Sequence, residues 1–202
     1  MAEPDIHVLE GLGAVRMRPE MYLASLQGAS VADGLLLETL CHAFDEAIEG
    51  NCTEIVLALS GDEAVVTYDA GLPLCRMENG MPAAHVLLAT LYACKARKRH
   101  ISVGDEVCKA GLAVANALSA TFEVKTTSSG ESCTLLYSAG ELLEEPRVQP
   151  STMPDQTRIH LELDSGILGP HQPFSQTGIE VQLQRISMAL PIRPAIRFNA
   201  TR

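Results

Sequence analysis

Tryptophan is absent from this sequence, and only 4% of its 202 residues are aromatic. The interior must therefore be mostly aliphatic, built from Leu, Val, Ile and Ala side chains. The hydrophobic fraction of 47% is high enough for a sizeable core without disulfide or metal staples. This length is typical of one large domain or two very small ones.

Long apolar runs and an excess of positive charge are also missing. No window approaches the roughly 18 apolar residues of a membrane span, and the N-terminus lacks the basic and apolar regions of a signal peptide. These absences predict a cytoplasmic protein. The net charge of −10 argues against direct DNA binding by the whole chain, because phosphate contacts need positive surface.

The six cysteines form no CxxC pair and have no histidine at zinc-finger spacing. That pattern predicts six free thiols in a reducing compartment, several of them buried as small apolar side chains.

Periodicity predicts alternating helical and strand-like segments. Residues 32–49 carry the clearest amphipathic helical pattern, with Asp33 as a candidate N-cap and Gly50 at the C-terminal end. Further predicted helices span 6–18, 82–94, 107–119 and 176–190; predicted strands span 54–59, 64–68, 121–126, 132–137 and 157–163. The order suggests one mixed α+β layer structure.

Five segments, in order along nearly the whole chain, resemble the N-terminal ATPase domain of the bacterial DNA gyrase B and topoisomerase IV B family. They are residues 8–23 (VLEGLGAVRMRPEMYL), 44–52 (FDEAIEGNC), 111–119 (GLAVANALS), 156–161 (QTRIHL) and 184–198. The resemblance implies the GHKL ATP-binding fold: an α+β two-layer sandwich with a mixed β-sheet, helices on one face and the nucleotide between them. We expect a single domain over residues 1–202, without the family's transducer, TOPRIM or DNA-cleavage domains.

The same resemblance implies catalytic roles for two helical residues. Glu38 falls at the family's general base, which activates the water that attacks the terminal phosphate of ATP. His42 falls where the family has an Mg²⁺-binding Asn, although Mg²⁺ favours oxygen ligands over imidazole. Without the resemblance, Glu38 would be an ordinary solvated carboxylate and His42 a histidine with no metal.

Nucleotide contacts are implied at two further places. Asp69 and Gly71 resemble the family's adenine-binding Asp-x-Gly element, and Thr157 matches the Thr that supports that Asp. Lys109 and Gly111 lie in the phosphate loop, where three of the family's four glycines are replaced and acidic residues precede Lys109. Without a nucleotide role, Asp69 would be an Asp in a turn before Pro, and Thr157 would be a Thr favoured by its strand propensity.

A basic cluster at residues 95–100 falls in the family's mobile ATP lid. It is a candidate contact for triphosphate, nucleic acid or an acidic partner, and equally a solvated loop.

Three hypotheses follow from these departures. The first is an ATP-binding module that resembles the gyrase B ATPase domain of type II topoisomerases, with weak or lost hydrolysis, for which the resemblance implies ATP and Mg²⁺ as cofactors. The second is a pseudo-ATPase that binds or regulates a topoisomerase subunit or another protein; the third is a different small ligand in the pocket. The short N-terminal arm has no tyrosine, so we expect a monomer or a weak dimer.

Overall fold

The computed structural model of the chain describes residues 11–26, 30–93 and 109–199. The helices are α1 (Gly13–Met17), α2 (Glu20–Leu23), α3 (Val31–Glu38), α4 (Cys41–Ile48), α5 (Ala83–Ala89), α6 (Leu112–Ala117), α7 (Ser165–Leu168) and α8 (Gln176–Ala189). The strands are β1 (Glu54–Ser60), β2 (Glu63–Tyr68), β3 (Ser119–Ser128), β4 (Glu131–Ser138), β5 (Glu141–Leu142), β6 (Gln149–Pro150), β7 (Gln156–Leu163) and β8 (Ala195–Asn199).

The strands form one mixed sheet in the order β5-β4-β3-β7-β2-β1-β8, with β6 paired to β4 beside this path. The described pairs are antiparallel except for β1 and β8, which run parallel. Because β7 lies between β2 and β3, Thr157 is opposite Tyr68 on one side and Thr126 on the other. This register brings together residues that are far apart in the sequence.

One face of the sheet is buried under the helices. Along β7, Thr157, Ile159, Leu161 and Leu163 are buried, while the residues between them are partly exposed. The buried side chains join those of α3, α4 and α6 in one hydrophobic core, which is mostly aliphatic as the composition predicts. The predicted α+β class, with a mixed sheet and helices on one face, is confirmed.

The segment 32–49, predicted as one helix, forms two helices that are interrupted at Thr39 and Leu40. The Thr39 hydroxyl donates to the Leu36 carbonyl over 2.6 Å, and the Thr39 and Leu40 N–H groups bond three residues back, which tightens the last turn. Glu38 therefore ends α3, whereas His42 lies in the first turn of α4.

The N-cap of α3 is Ser30, not Asp33 as the sequence suggested. The Ser30 hydroxyl accepts a hydrogen bond from the Asp33 N–H, and the Asp33 carboxylate accepts one from the Ser175 N–H at the start of α8. The buried Asp33 side chain therefore joins the beginnings of two helices.

Cys41 is disulfide-bonded, so the expectation of six free thiols is wrong at this position. Cys52, Cys75 and Cys133 are free, and Cys75 is exposed; Cys94 and Cys108 lie outside the described residues. Among the described residues, no helix has the length and apolar character needed to cross a membrane.

Candidate functional site

The Glu38 carboxylate lies against the backbone that leads into α6. Its Oε2 accepts hydrogen bonds from the N–H groups of Ala110 (3.0 Å) and Gly111 (2.6 Å), and its Oε1 accepts one from Lys109 (3.3 Å). Glu38 is 2% exposed, so water makes little contact with this cluster. Three residues proposed from the sequence, Glu38, Lys109 and Gly111, are thus in contact.

Burial raises the pKa of Glu38 from the ordinary 4.5 to about 7. The hydrogen bonds from Gly111, Lys109 and Ala110, together with the Lys109 charge, act in the opposite direction and only partly offset the loss of water. A carboxyl with this pKa exchanges a proton near neutral pH, which is the property that a general base needs.

Gly111 adopts a backbone conformation that other residues avoid. Its φ is +83°, in the region that favours glycine, and the next residue begins α6. This conformation turns the N–H groups of residues 109–111 towards one point. Gly111, the one family glycine kept in the phosphate loop, is therefore the one that this turn requires.

The His42 ring lies beside the side chains of Glu46 and Tyr68. Its Nε2 is 3.6 Å from Oε1 of Glu46, one helical turn later, and its ring centroid is 5.9 Å from that of Tyr68. Within the described ranges, no group of three or more His, Cys, Asp or Glu side chains is arranged to hold a metal ion.

Asp69 is exposed at the end of β2 and bonds to the start of β1. Its carboxylate accepts hydrogen bonds from the Thr53 N–H (2.8 Å), the Thr53 hydroxyl and the Glu54 N–H (2.9 Å). Burial acts to raise the pKa of Asp69, but the hydrogen bonds from Thr53 and Glu54 outweigh it and lower the pKa. No hydrogen bond in the described part of the chain joins Asp69 to the Glu38 cluster.

Thr157 fixes the segment that follows Asp69. Its hydroxyl donates to the Ala70 carbonyl (2.7 Å), accepts from the Leu72 N–H (3.2 Å) and lies 3.0 Å from the Thr126 hydroxyl. Thr126 also accepts from the Leu72 N–H, over 2.8 Å. The sequence reasoning missed Thr126, although its position opposite Thr157 would have followed from a correct pairing of β3 with β7.

Gly71 lies directly against the end of β3. A Cβ added at Gly71 would come within 2.2 Å of the Thr127 carbonyl oxygen and 2.5 Å of the Ser128 Cβ. The glycine thus permits a close contact between two parts of the protein backbone. The basic cluster at residues 95–100 lies outside the described residues.

The chain is similar to several known proteins. No model of a protein family matches the chain. It is similar to the DNA gyrase B proteins of Thermus thermophilus (32% identity over 90% of this chain) and of Halalkalibacterium halodurans (30% over 92%). The gyrase B protein of Haloferax volcanii is 35% identical over 67% of the chain.

A solved structure shows the same fold. The 43K ATPase domain of Thermus thermophilus gyrase B, in complex with an aminocoumarin, superposes with a TM-score of 0.74 at 28% identity, over 94% of this chain and 48% of that one. The chain spans less than a third of the length of the curated relatives.

The fold and the sequence together define a GHKL-type module. More particularly, the chain belongs to the DNA gyrase B family and corresponds to its ATPase domain. The resemblance found in the sequence is therefore confirmed.

Proposed function

We propose that this chain is an ATP-binding module of the gyrase B type in which hydrolysis is weak or lost. The observation that carries the proposal is the convergence of the Lys109, Ala110 and Gly111 N–H groups on a single anionic group. The relatives' names support ATP as the ligand, because the matching structure is described as an ATPase domain.

The backbone at residues 109–111 fits a phosphate group. Successive N–H groups in such a turn form an anion-binding concavity, and they act through the backbone, so they survive the loss of most loop glycines. Lys109 adds a positive charge beside them. These residues would hold the phosphate end of the nucleotide, while Thr157 and the segment at 69–72 would support the adenine end.

The residues near His42 do not fit Mg²⁺. The ion demands octahedral oxygen coordination, whereas position 42 offers an imidazole nitrogen, and the Glu46 carboxylate lies 3.6 Å from that imidazole. Without a suitable ligand set, we derive no catalytic step through a metal ion. This mismatch is the reason for proposing weak or absent hydrolysis.

Glu38 is the residue that would act on the attacking water. Its carboxyl can hold or release a proton near pH 7, and ATP, when bound, supplies the phosphoryl group to be transferred. In the observed arrangement both carboxylate oxygens are engaged by backbone N–H groups, which leaves Glu38 poorly placed to orient water.

A second candidate is a pseudo-ATPase that serves as a protein-binding or regulatory partner. It is favoured by the same two observations, the engaged Glu38 and the His42–Glu46 contact. The relatives' names suggest a topoisomerase subunit as the partner, and the net charge of −10 favours contact with protein over direct contact with DNA.

Titration calorimetry with a non-hydrolysable ATP analogue, with and without Mg²⁺, tests the first proposal. We expect saturable binding that Mg²⁺ strengthens little. No heat at millimolar analogue, for a chain shown to be folded, would reject ATP binding and leave the pseudo-ATPase.

The His42→Asn variant tests why hydrolysis is weak. If the imidazole is the main obstacle, phosphate release should rise at least about ten-fold, which corresponds to about 1.4 kcal/mol in the barrier. His171→Asn, at an exposed position between α7 and α8, is the control and should leave turnover at the wild-type level. An equally inactive His42→Asn chain that still binds the analogue would refute the assignment of the defect to this position.

A further inference from the structure

A buried carboxylate already occupies the N–H groups that a phosphate would need. Glu38 Oε2 takes the two shortest hydrogen bonds, from Gly111 and Ala110, and Oε1 takes the third, from Lys109. A carboxylate and a phosphate oxygen make the same demand on backbone donors, since both are acceptors that carry negative charge. The chain therefore supplies its own anion at this position.

The two anions cannot share this position. Ala110 and Gly111 are buried, and the Glu38 carboxylate lies within 3.0 Å of both nitrogens, where a phosphate oxygen would have to lie. When Glu38 is ionised, the two negative charges also repel, because little water lies between them. One of them must leave before the other can bind.

The local backbone allows Glu38 to leave. Glu38 is the last residue of α3, and the chain breaks at Thr39 before α4 begins. Rotation about the three side-chain torsions of Glu38 would move the carboxylate without unwinding the interior of α3. The same movement would free the carboxylate for a catalytic role.

We propose that Glu38 is an internal competitor for the phosphate position: its carboxylate closes the N–H groups of residues 109–111 in the ligand-free chain, and a phosphate group binds only after Glu38 has turned out. The proposal rests on the proposed function, because it takes the phosphate to be that of ATP. It deepens that function by naming what regulates the affinity of the site.

Inorganic tripolyphosphate is the probe that isolates the competition from adenine recognition. We would measure its affinity by calorimetry for the wild-type chain, Glu38→Ala, Glu38→Gln and Glu180→Ala. Glu180 is exposed on α8 and bonds only to Gln176 among the contacts described, so its removal makes the same change in net charge without removing a contact to residues 109–111. The proposal predicts that Glu38→Ala binds tripolyphosphate at least about ten-fold more tightly than the wild type, that Glu38→Gln, which loses the charge but keeps an acceptor oxygen, lies between the two, and that Glu180→Ala is unchanged.

Amide hydrogen exchange separates displacement from simple charge repulsion. In Glu38→Ala, the N–H groups of Ala110 and Gly111 should exchange at least about ten-fold faster than in the wild type and regain protection when tripolyphosphate is added. Should Glu38→Ala fail to fold, Glu38→Leu also lacks a hydrogen-bond acceptor, keeps more of the buried volume and answers the same question. Equal affinity in the folded variants and the wild type, or no recovery of protection, would overturn the proposal.

Adenosine, which has no phosphate, distinguishes a failure of this proposal from a failure of the proposed function. Equal adenosine binding by all chains, together with tighter tripolyphosphate binding by the Glu38 variants, supports both. No adenosine binding by any chain would count against the nucleotide pocket, and the tripolyphosphate comparison would still decide the role of Glu38.

Discussion

Replacing Thr157 by Val tests whether the pair of buried threonines holds the segment after Asp69. The substitution keeps the side-chain shape but removes a hydroxyl that is completely buried and donates to the Ala70 carbonyl over 2.7 Å. The Leu72 N–H keeps its shorter bond to Thr126, so the main loss is one buried acceptor left without its partner. Such a loss costs about 1–3 kcal/mol.

Urea unfolding followed by circular dichroism measures this loss directly. We expect Thr157→Val to lower the free energy of unfolding by about 2 kcal/mol, or the melting temperature by roughly 4–8 °C for a chain of this size. Thr134→Val, at an exposed position on β4, is the matched control and should change stability by less than about 0.5 kcal/mol.

The double variant with Thr126→Val sharpens the test. Because the two hydroxyls lie 3.0 Å apart and share the Leu72 N–H, their effects should not add. A loss no larger than that of Thr134→Val, or strict additivity in the double variant, would refute the reasoning.

Two further predictions concern Glu38 and Gly71. Because the folded chain raises the pKa of Glu38 to about 7, it binds the proton more tightly than the unfolded chain does. The stabilising contribution of protonated Glu38 is therefore full below about pH 4.5 and is lost as the pH rises to about 7. Urea unfolding at pH 5 and pH 8 should show that the wild type loses more stability than Glu38→Gln over this interval, and parallel profiles would contradict the burial argument. Gly71→Ala should lower the free energy of unfolding by more than about 2 kcal/mol, because its Cβ would overlap the Thr127 carbonyl. Gly13→Ala in α1, where nothing lies within 4 Å of the added Cβ, should be neutral. Similar melting temperatures for the two variants would show that the β3 backbone moves away at little cost.

The sequence predicted the elements well where periodicity is strong. The strands β1, β2 and β7 agree with the predicted segments within one residue at each end, because alternating apolar residues mark a sheet with one buried face. The break between α3 and α4 was missed because the apolar pattern continues through it. The Thr39 hydroxyl bond and the N–H bonds of Thr39 and Leu40 to carbonyls three residues back mark the interruption, and periodicity carries no signal for them.

The site was only partly predictable for a related reason. Glu38 was identified by resemblance, but its burial and its hydrogen bonds depend on residues 109–111, which lie more than 70 positions later in the chain. Thr126 was missed because its role follows from strand order, which local patterns do not determine. The nucleotide roles of Asp69 and Gly71 stay predictions, since their observed contacts are with Thr53, Glu54 and β3.

The central claim is that nucleotide phosphate binds at the N–H groups of residues 109–111. The most direct test is a ¹H–¹⁵N spectrum of the labelled chain during titration with a non-hydrolysable ATP analogue. The account predicts saturable shifts of the Ala110 and Gly111 peaks, larger in Glu38→Gln at equal analogue concentration, while Ile196 in β8, at the edge of the sheet furthest from β3, stays unchanged. Unmoved Ala110 and Gly111 peaks at millimolar analogue in both chains would contradict it.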